Sequence, residues 1–183
     1  MTIVLIDQDG PLANFELGFA AKWESRFPKE IFVSLEERRT FHIKDDYPPH
    51  LREHVESIYL EKGFYANLPI TNGGLQGMRE MENAGFSIYI CTAPLSQYEN
   101  CVLEKYTWVE KHFGKDFTRR IIVTKDKTLI KGDFLIDDAP NVEGIKSPEW
   151  KHILFDSPYN RHVTDRPRIN WDTWRDILPV SST

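Results

Sequence analysis

The chain has 183 residues, of which 40% are hydrophobic and 13% aromatic, so one packed domain with a modest insertion is expected and a disordered chain is not. A formal net charge of −5 without any Lys/Arg block argues against a nucleic acid polymer as partner; any ligand of that chemistry must be small. Cys91 and Cys101 make no disulfide framework, no run nears the ~20 apolar residues of a membrane span, and no signal core precedes the first acids, so a reduced, cytoplasmic protein is expected.

In chain order, Ile3 to Ile6 is a continuous β-rich apolar run, as found in a strand buried on both faces of a parallel sheet. It stops at Asp7, and Gly10-Pro11 turns the chain. Phe15, Phe19, Trp23 and Phe27 recur at helical spacing until Pro28. Ser34 with Glu37 predicts a capping box for a second short helix, and Pro48-Pro49 precedes a third with Leu51, Val55, Ile58 and Tyr59 on one face. Asn72-Gly73-Gly74 then makes a turn, and Leu75, Met78 and Met81 or Glu82 mark a short helix that stops at Gly85. Phe86 to Cys91 reads as a strand. Tyr98, Val102, Tyr106, Val109 and Phe113 fit a helix closed by Gly114. Ile121–Val123, Phe134–Ile136 and Ile153–Phe155 read as further strands, and Trp171, Trp174 and Ile177 as a terminal helix. The five tryptophans, Trp23, Trp108, Trp150, Trp171 and Trp174, read as packing, and Asp45-Asp46 as a solvated loop.

This alternation predicts an α/β fold: a Rossmann-like parallel sheet with helices on both faces and a small helical cap inserted after the first strand. The expected division is a core of residues 1–14 and 66–183 and a cap of residues 15–65. Such sheets place their chemistry at the carboxyl ends of the strands. Asp7, Gln8, Asp9 and Gly10 follow the first apolar run, Thr92 and Ala93 the second, Lys125, Asp126 and Lys127 the third, and Asp137 and Asp138 the fourth. Side by side, those strands gather carboxylates that cannot all stay ionised without a cation. An oxygen-only donor set points to Mg²⁺, which commonly also binds a substrate phosphate. In extended chain Asp7 and Asp9 point the same way, so one can attack a phosphorus while the other handles the proton of the leaving oxygen.

The segments Ile6-Asp7-Gln8-Asp9-Gly10-Pro11-Leu12-Ala13, Thr92, Lys127 and Leu135-Ile136-Asp137-Asp138, in that order, resemble the four-motif pattern of the haloacid dehalogenase superfamily. The second Asp of the first motif is the mark of its phosphotransferases. Leu35 to Phe41, Ile90 to Leu95 and Thr124 to Thr128 are similar to segments of the 5′(3′)-deoxyribonucleotidases. That resemblance implies a phosphatase for nucleoside monophosphates, soluble, dimeric and dependent on Mg²⁺. It implies Asp7 as nucleophile, Asp9 as general acid and then base, and Thr92 and Lys127 as catalytic partners. Thr92, Ala93, Lys127 and Lys125 would bind phosphate. Asp7, Asp9 through its carbonyl, and the Asp137-Asp138 pair would hold the metal, with Asp138 the direct ligand of the pair. Phe15, Phe41, His42, Tyr59 and Tyr65 would surround the nucleobase. Ala93 and His42 depart from the family pattern, which has Ser and a larger aromatic there. Two alternatives stay open at this point: a phosphatase for another small phosphorylated metabolite, and a non-catalytic phosphate-binding domain.

Overall fold

A computed structural model describes residues 2–178; residues 1 and 179–183 of the expected core lie outside the described residues. Six strands, β1 (Ile3–Ile6), β2 (Ser87–Thr92), β3 (Ile121–Val123), β4 (Phe134–Asp137), β5 (Lys151–Phe155) and β6 (Arg168–Ile169), form one parallel sheet in the order β3-β2-β1-β4-β5-β6. The chain runs outward from β1 in one direction, then returns to β1's other side as β4, so the sheet reverses order between β1 and β4. Ligand crevices of open α/β sheets form at that reversal. The register pairs Ile6 with both Ile90 and Ile136, which brings the ends of β1, β2 and β4 level.

The helices are α1 (Phe15–Arg26), α2 (Arg52–Tyr59), α3 (Gly74–Asn83), α4 (Tyr98–Phe113) and the single turn α5 (Trp174–Ile177). The layering is uneven. Alternate strand residues Val4, Ile6, Ile88, Ile90, Ile136 and Ile153 share a large apolar cluster with the buried side chains of all five helices. On the opposite face Leu5, Cys91 and Leu135 are covered by Ile130, Val142 and Trp150, which belong to loops rather than α-helices. The return crossovers are too short for more: β3 reaches β4 through one 3-10 turn, Lys127–Leu129. The expected helical cover on both faces is therefore fully developed on one face only.

Residues 15–65 carry no strand, as their pattern predicts. Asn14 caps α1 by accepting a hydrogen bond from the Leu17 N–H at 2.9 Å. The Ser34–Glu37 capping box forms, but it starts a single 3-10 turn, Leu35–Glu37, rather than a second α-helix. Only three residues separate the cap from the extended Arg38, too few for helix propagation to repay nucleation. In α4 the buried face is Cys101, Glu104, Lys105, Trp108 and Val109; of the expected stripe Val109 lies on it, Val102, Tyr106 and Phe113 pack half-buried against the core, and Tyr98 is exposed. Two charged residues on that face hide its period from a count of apolar positions. Trp171 precedes α5 and packs over Gly77, where a Cβ would come within 2.1 Å of the indole. The two-residue strand β6 carries no apolar run long enough to read. All five tryptophans are buried, and both cysteines are buried free thiols.

Candidate functional site

The floor of the site comes from β1 and β4. Asp7 follows β1, and its N–H donates to the Ile136 carbonyl at 2.9 Å, continuing the ladder by one residue. Asp137 ends β4 and Asp138 follows it. One carboxylate oxygen from each of Asp7, Asp137 and Asp138 lies within 4.8 Å of the other two, and all three residues are buried. Lys127 joins them: its Nζ is 2.7 Å from Asp7 Oδ1 and 2.6 Å from Asp137 Oδ2. Asp126 sets Lys127 in place by accepting from the Thr128 N–H at 2.9 Å, which caps the 3-10 turn on which the lysine sits.

These charges shape one another. Burial pushes the Asp7 carboxyl up against the pull of Lys127. Burial, reinforced by Asp137 and Asp7, holds Asp138 well above the ordinary carboxylate range. Burial opposes the charge on Lys127, but Asp137 and Asp7 outweigh it and its pKa rises. The cluster therefore has more acid than its one lysine neutralises, and every free donor atom is oxygen. That set fits a hard divalent cation. Asp137 has both oxygens engaged, by Lys127 and by the Ala139 N–H at 2.9 Å, whereas Asp138 receives one bond, from the Tyr159 hydroxyl.

Gly10 adopts φ +89°, and a Cβ there would lie 2.3 Å from Asp138 Oδ2, so the loop after β1 can pass this close only as glycine. The loop is fastened at two neighbouring carbonyls: Thr71 Oγ1 donates to that of Gly10 at 2.6 Å and Trp171 Nε1 to that of Pro11 at 2.7 Å. Asp9 stands on it beside Lys105 of α4, whose Nζ donates to Asp9 Oδ2 and, at 2.9 Å, to Thr92 Oγ1. Burial raises the Asp9 pKa, and Lys105 partly offsets that rise.

Above the floor lies a cavity of about 640 Å³ that opens between the core and residues 15–65. Asp7, Asp9, Lys127, Asp137 and Asp138 line it together with Phe15, Phe41, His42, Tyr59 and Tyr65. Phe15 sits among rings, 6.2 Å from Tyr59, 5.3 Å from Phe64 and 6.4 Å from Tyr65. Phe41 is 40% exposed at the rim, 6.1 Å from the Tyr159 ring. Arg38, 1% exposed, holds this wall: it donates to Glu16, to Asp46 at 3.1 Å, and to the carbonyls of Thr40 and Phe41 at 2.8 and 2.7 Å. Its guanidinium also lies 4.7 Å over the Tyr159 ring.

The structure brings together every residue that sequence reasoning places at the floor. Ala93 lines the cavity and Lys125 its rim, 3.5 Å from Ser96 Oγ, whereas the Thr92 hydroxyl is buried one layer behind, on Lys105. Asp46 departs from the solvated loop expected of it. Its side chain is buried, bonded to Arg38 and to the N–H groups of Arg39 and Thr40, because the buried Arg38 needs a counter-ion there. Asp45 is the exposed one of that pair. Sequence reasoning misses Lys105, Arg38 and Tyr159. Tyr159 had a signal: Ser157 and Asn160 form a capping box just past the fifth apolar run, where the strand-end rule applies equally. Lys105 had a weaker one, lying four residues after Cys101 and three before Trp108 on one helical face.

Comparison with known proteins adds to this geometry. The family model described as 5′ nucleotidase, deoxy (pyrimidine), cytosolic type C protein matches residues 1–182. A Bordetella pertussis protein, provisionally named a 5′(3′)-deoxyribonucleotidase, is 50% identical over 96% of this chain and 95% of its own. The human 5′(3′)-deoxyribonucleotidase, cytosolic type, is 45% identical over 96% of this chain and 92% of its own. A crystal structure of a HAD family hydrolase from Deinococcus radiodurans, with bound phosphate and sodium, superposes with a TM-score of 0.57 at 11% identity, over 93% of this chain and 91% of that one.

Proposed function

The chain belongs to the 5′ nucleotidase, deoxy (pyrimidine), cytosolic type C family, and from that footing we propose that it releases phosphate from deoxyribonucleoside 5′- or 3′-monophosphates, with Asp7 as nucleophile. The observation that carries the reading is the Asp7–Lys127–Asp137–Asp138 cluster in a cavity that aromatic side chains also line. A phosphate needs positive charge and a hard-cation site; a nucleobase needs flat apolar faces. The cavity offers both within one space.

The proposed chemistry follows from the residues. Asp7 attacks phosphorus through one carboxylate oxygen while Lys127 holds the other, forming an aspartyl-phosphate as the P–O bond to the nucleoside breaks. Asp9 gives the leaving oxygen a proton. Asp9 then takes a proton from the water that attacks the phospho-enzyme, returning Asp7 as a carboxylate and freeing phosphate. Asp138, Asp7 and the Asp9 carbonyl would hold Mg²⁺, which when bound neutralises phosphate charge. Asp137, bonded to Lys127 and the Ala139 N–H, supports from behind. Ala93 brings its backbone N–H, without a side-chain hydroxyl, to the phosphate end, and Thr92 acts there through Lys105. Lys125 adds charge at the rim, and Phe15, Phe41, His42, Tyr59 and Tyr65 receive the base. Residues 15–65 thus act as the specificity cap on a core of residues 1–14 and 66–183. Among the described residues no helix is long and apolar enough to cross a membrane. A cytoplasmic homodimer is the proposed working form.

A panel of monophosphates with Mg²⁺ tests the reading, deoxy and ribo forms side by side with sugar phosphates. The expected result is a kcat/KM for deoxynucleotides at least about tenfold above the rest, the discrimination one well-fitted contact supplies. Faster turnover of a non-nucleotide phosphate overturns the substrate, and no phosphate release from any member overturns the activity.

A further inference from the structure

Resting on that phosphatase reading, we propose that Lys105 is a positioning residue for the proton transfer: its ammonium bonds the Asp9 carboxyl and fixes it where Asp9 lines the cavity. Lys105 is 1% exposed, a burial that lysine tolerates only when paired. Its ammonium donates to Asp9 Oδ2 and to Thr92 Oγ1, and lies 5.0 Å over the Tyr65 ring. It is not among the residues that line the cavity, so it reaches substrate only through others. The same helical turn holds the loop a second way: Gln8 Nε2, between the two aspartates, donates to the Lys105 carbonyl at 3.2 Å. Asp9 lines the cavity, so the carboxyl that Lys105 holds is the one a phosphate ester would meet there.

The step balances. An Asp7 oxygen bonds to phosphorus, the bridging P–O bond breaks, and its electron pair takes the proton from the Asp9 carboxyl. The new Asp9 carboxylate lies against the Lys105 ammonium, which holds its charge until the incoming water returns a proton. A phenolate such as p-nitrophenolate leaves without needing that proton; a nucleoside alkoxide does not. Lys105 should therefore matter for one leaving group and not for the other.

The test compares Lys105→Met with the parent on a deoxynucleoside monophosphate and on p-nitrophenyl phosphate, with Mg²⁺ throughout. The expected loss in kcat/KM is about 100-fold for the nucleotide and under about threefold for the aryl ester, the scale of general acid catalysis. In an Asp9→Asn background the Lys105→Met substitution should add less than about twofold, as groups acting in one unit do. An equal loss on both esters, or a full further loss in the Asp9→Asn background, overturns the proposal. If Lys105→Met does not fold, Lys105→Gln, whose uncharged amide falls one atom short of Asp9, carries the same comparison. A parent inactive on both esters would instead overturn the phosphatase reading on which the proposal stands.

Discussion

Two of the buried cations, Lys127 and Arg38, are each held by two carboxylates. Lys127 in the core bonds Asp7 and Asp137; Arg38 in the cap bonds Glu16 and Asp46. The difference lies in what is left over. The arginine fork spends its donors on two acids and two carbonyls. The lysine is a compact point charge facing three acids, so the core cluster keeps carboxylate oxygens without a partner. A satisfied network builds a wall, and an unsatisfied one waits for a ligand.

Asp7→Asn breaks the comparison hardest on the core side. It should lower kcat by about 10⁴-fold or more, as loss of a nucleophile does. It should leave the melting temperature unchanged or higher, since it removes one acid from a crowded set whose burial already raises the Asp7 pKa. Steady-state rates and a thermal melt on one preparation check both halves. A variant as active as the parent would mean another group attacks phosphorus.

Arg38→Met is the mirror experiment. It leaves Glu16 and Asp46 buried without a cation, and breaking a buried pair in this way costs about 3–5 kcal/mol. Urea unfolding measures it. A loss below about 1 kcal/mol, the scale of an exposed pair, would demote the fork to a surface contact and remove the contrast with Lys127.

The two cations also mark how far the sequence could be read. Asp7, Asp9, Lys127, Asp137 and Asp138 stand just past apolar strands, where topology alone collects them. Arg38, Asp46 and Lys105 reach their partners from irregular turns or from a helix face whose period they interrupt. Charges of that kind look solvated in one dimension, because only the fold shows what surrounds them. The aromatic wall was legible in composition but not in purpose: Phe15 packs within a ring cluster and lines the cavity at once.

Metal removal sharpens the core half. Burial raises the pKa of Asp7, Asp9 and Asp138. The metal-free fold then binds more protons than the unfolded chain between the ordinary carboxylate range and these raised values. Its stability falls as pH rises through that window. A divalent cation reverses the trend by favouring the ionised acids. Mg²⁺ at about 100 times its dissociation constant should add about 2.7 kcal/mol, with the increment growing from about pH 5 to about pH 8. Melts with Mg²⁺ and with EDTA at both pH values read it directly. An increment independent of pH would place the ion away from these carboxylates.

The smallest expected effect belongs to the cap. Phe41 is partly exposed at the cavity rim while its carbonyl is held by Arg38, so its ring is presented by the Arg38 network rather than packed within it. Stacking a base on such a ring is worth about 1–3 kcal/mol. Phe41→Ala should therefore raise KM for nucleotides by about tenfold and leave kcat near the parent value. Glycerol phosphate, which has no ring to stack, should be turned over unchanged. Parallel KM measurements on the two substrates decide between recognition and packing. A ring that merely fills space would cost stability and affect both alike, whereas a ring that reads the base affects only the substrate that carries one.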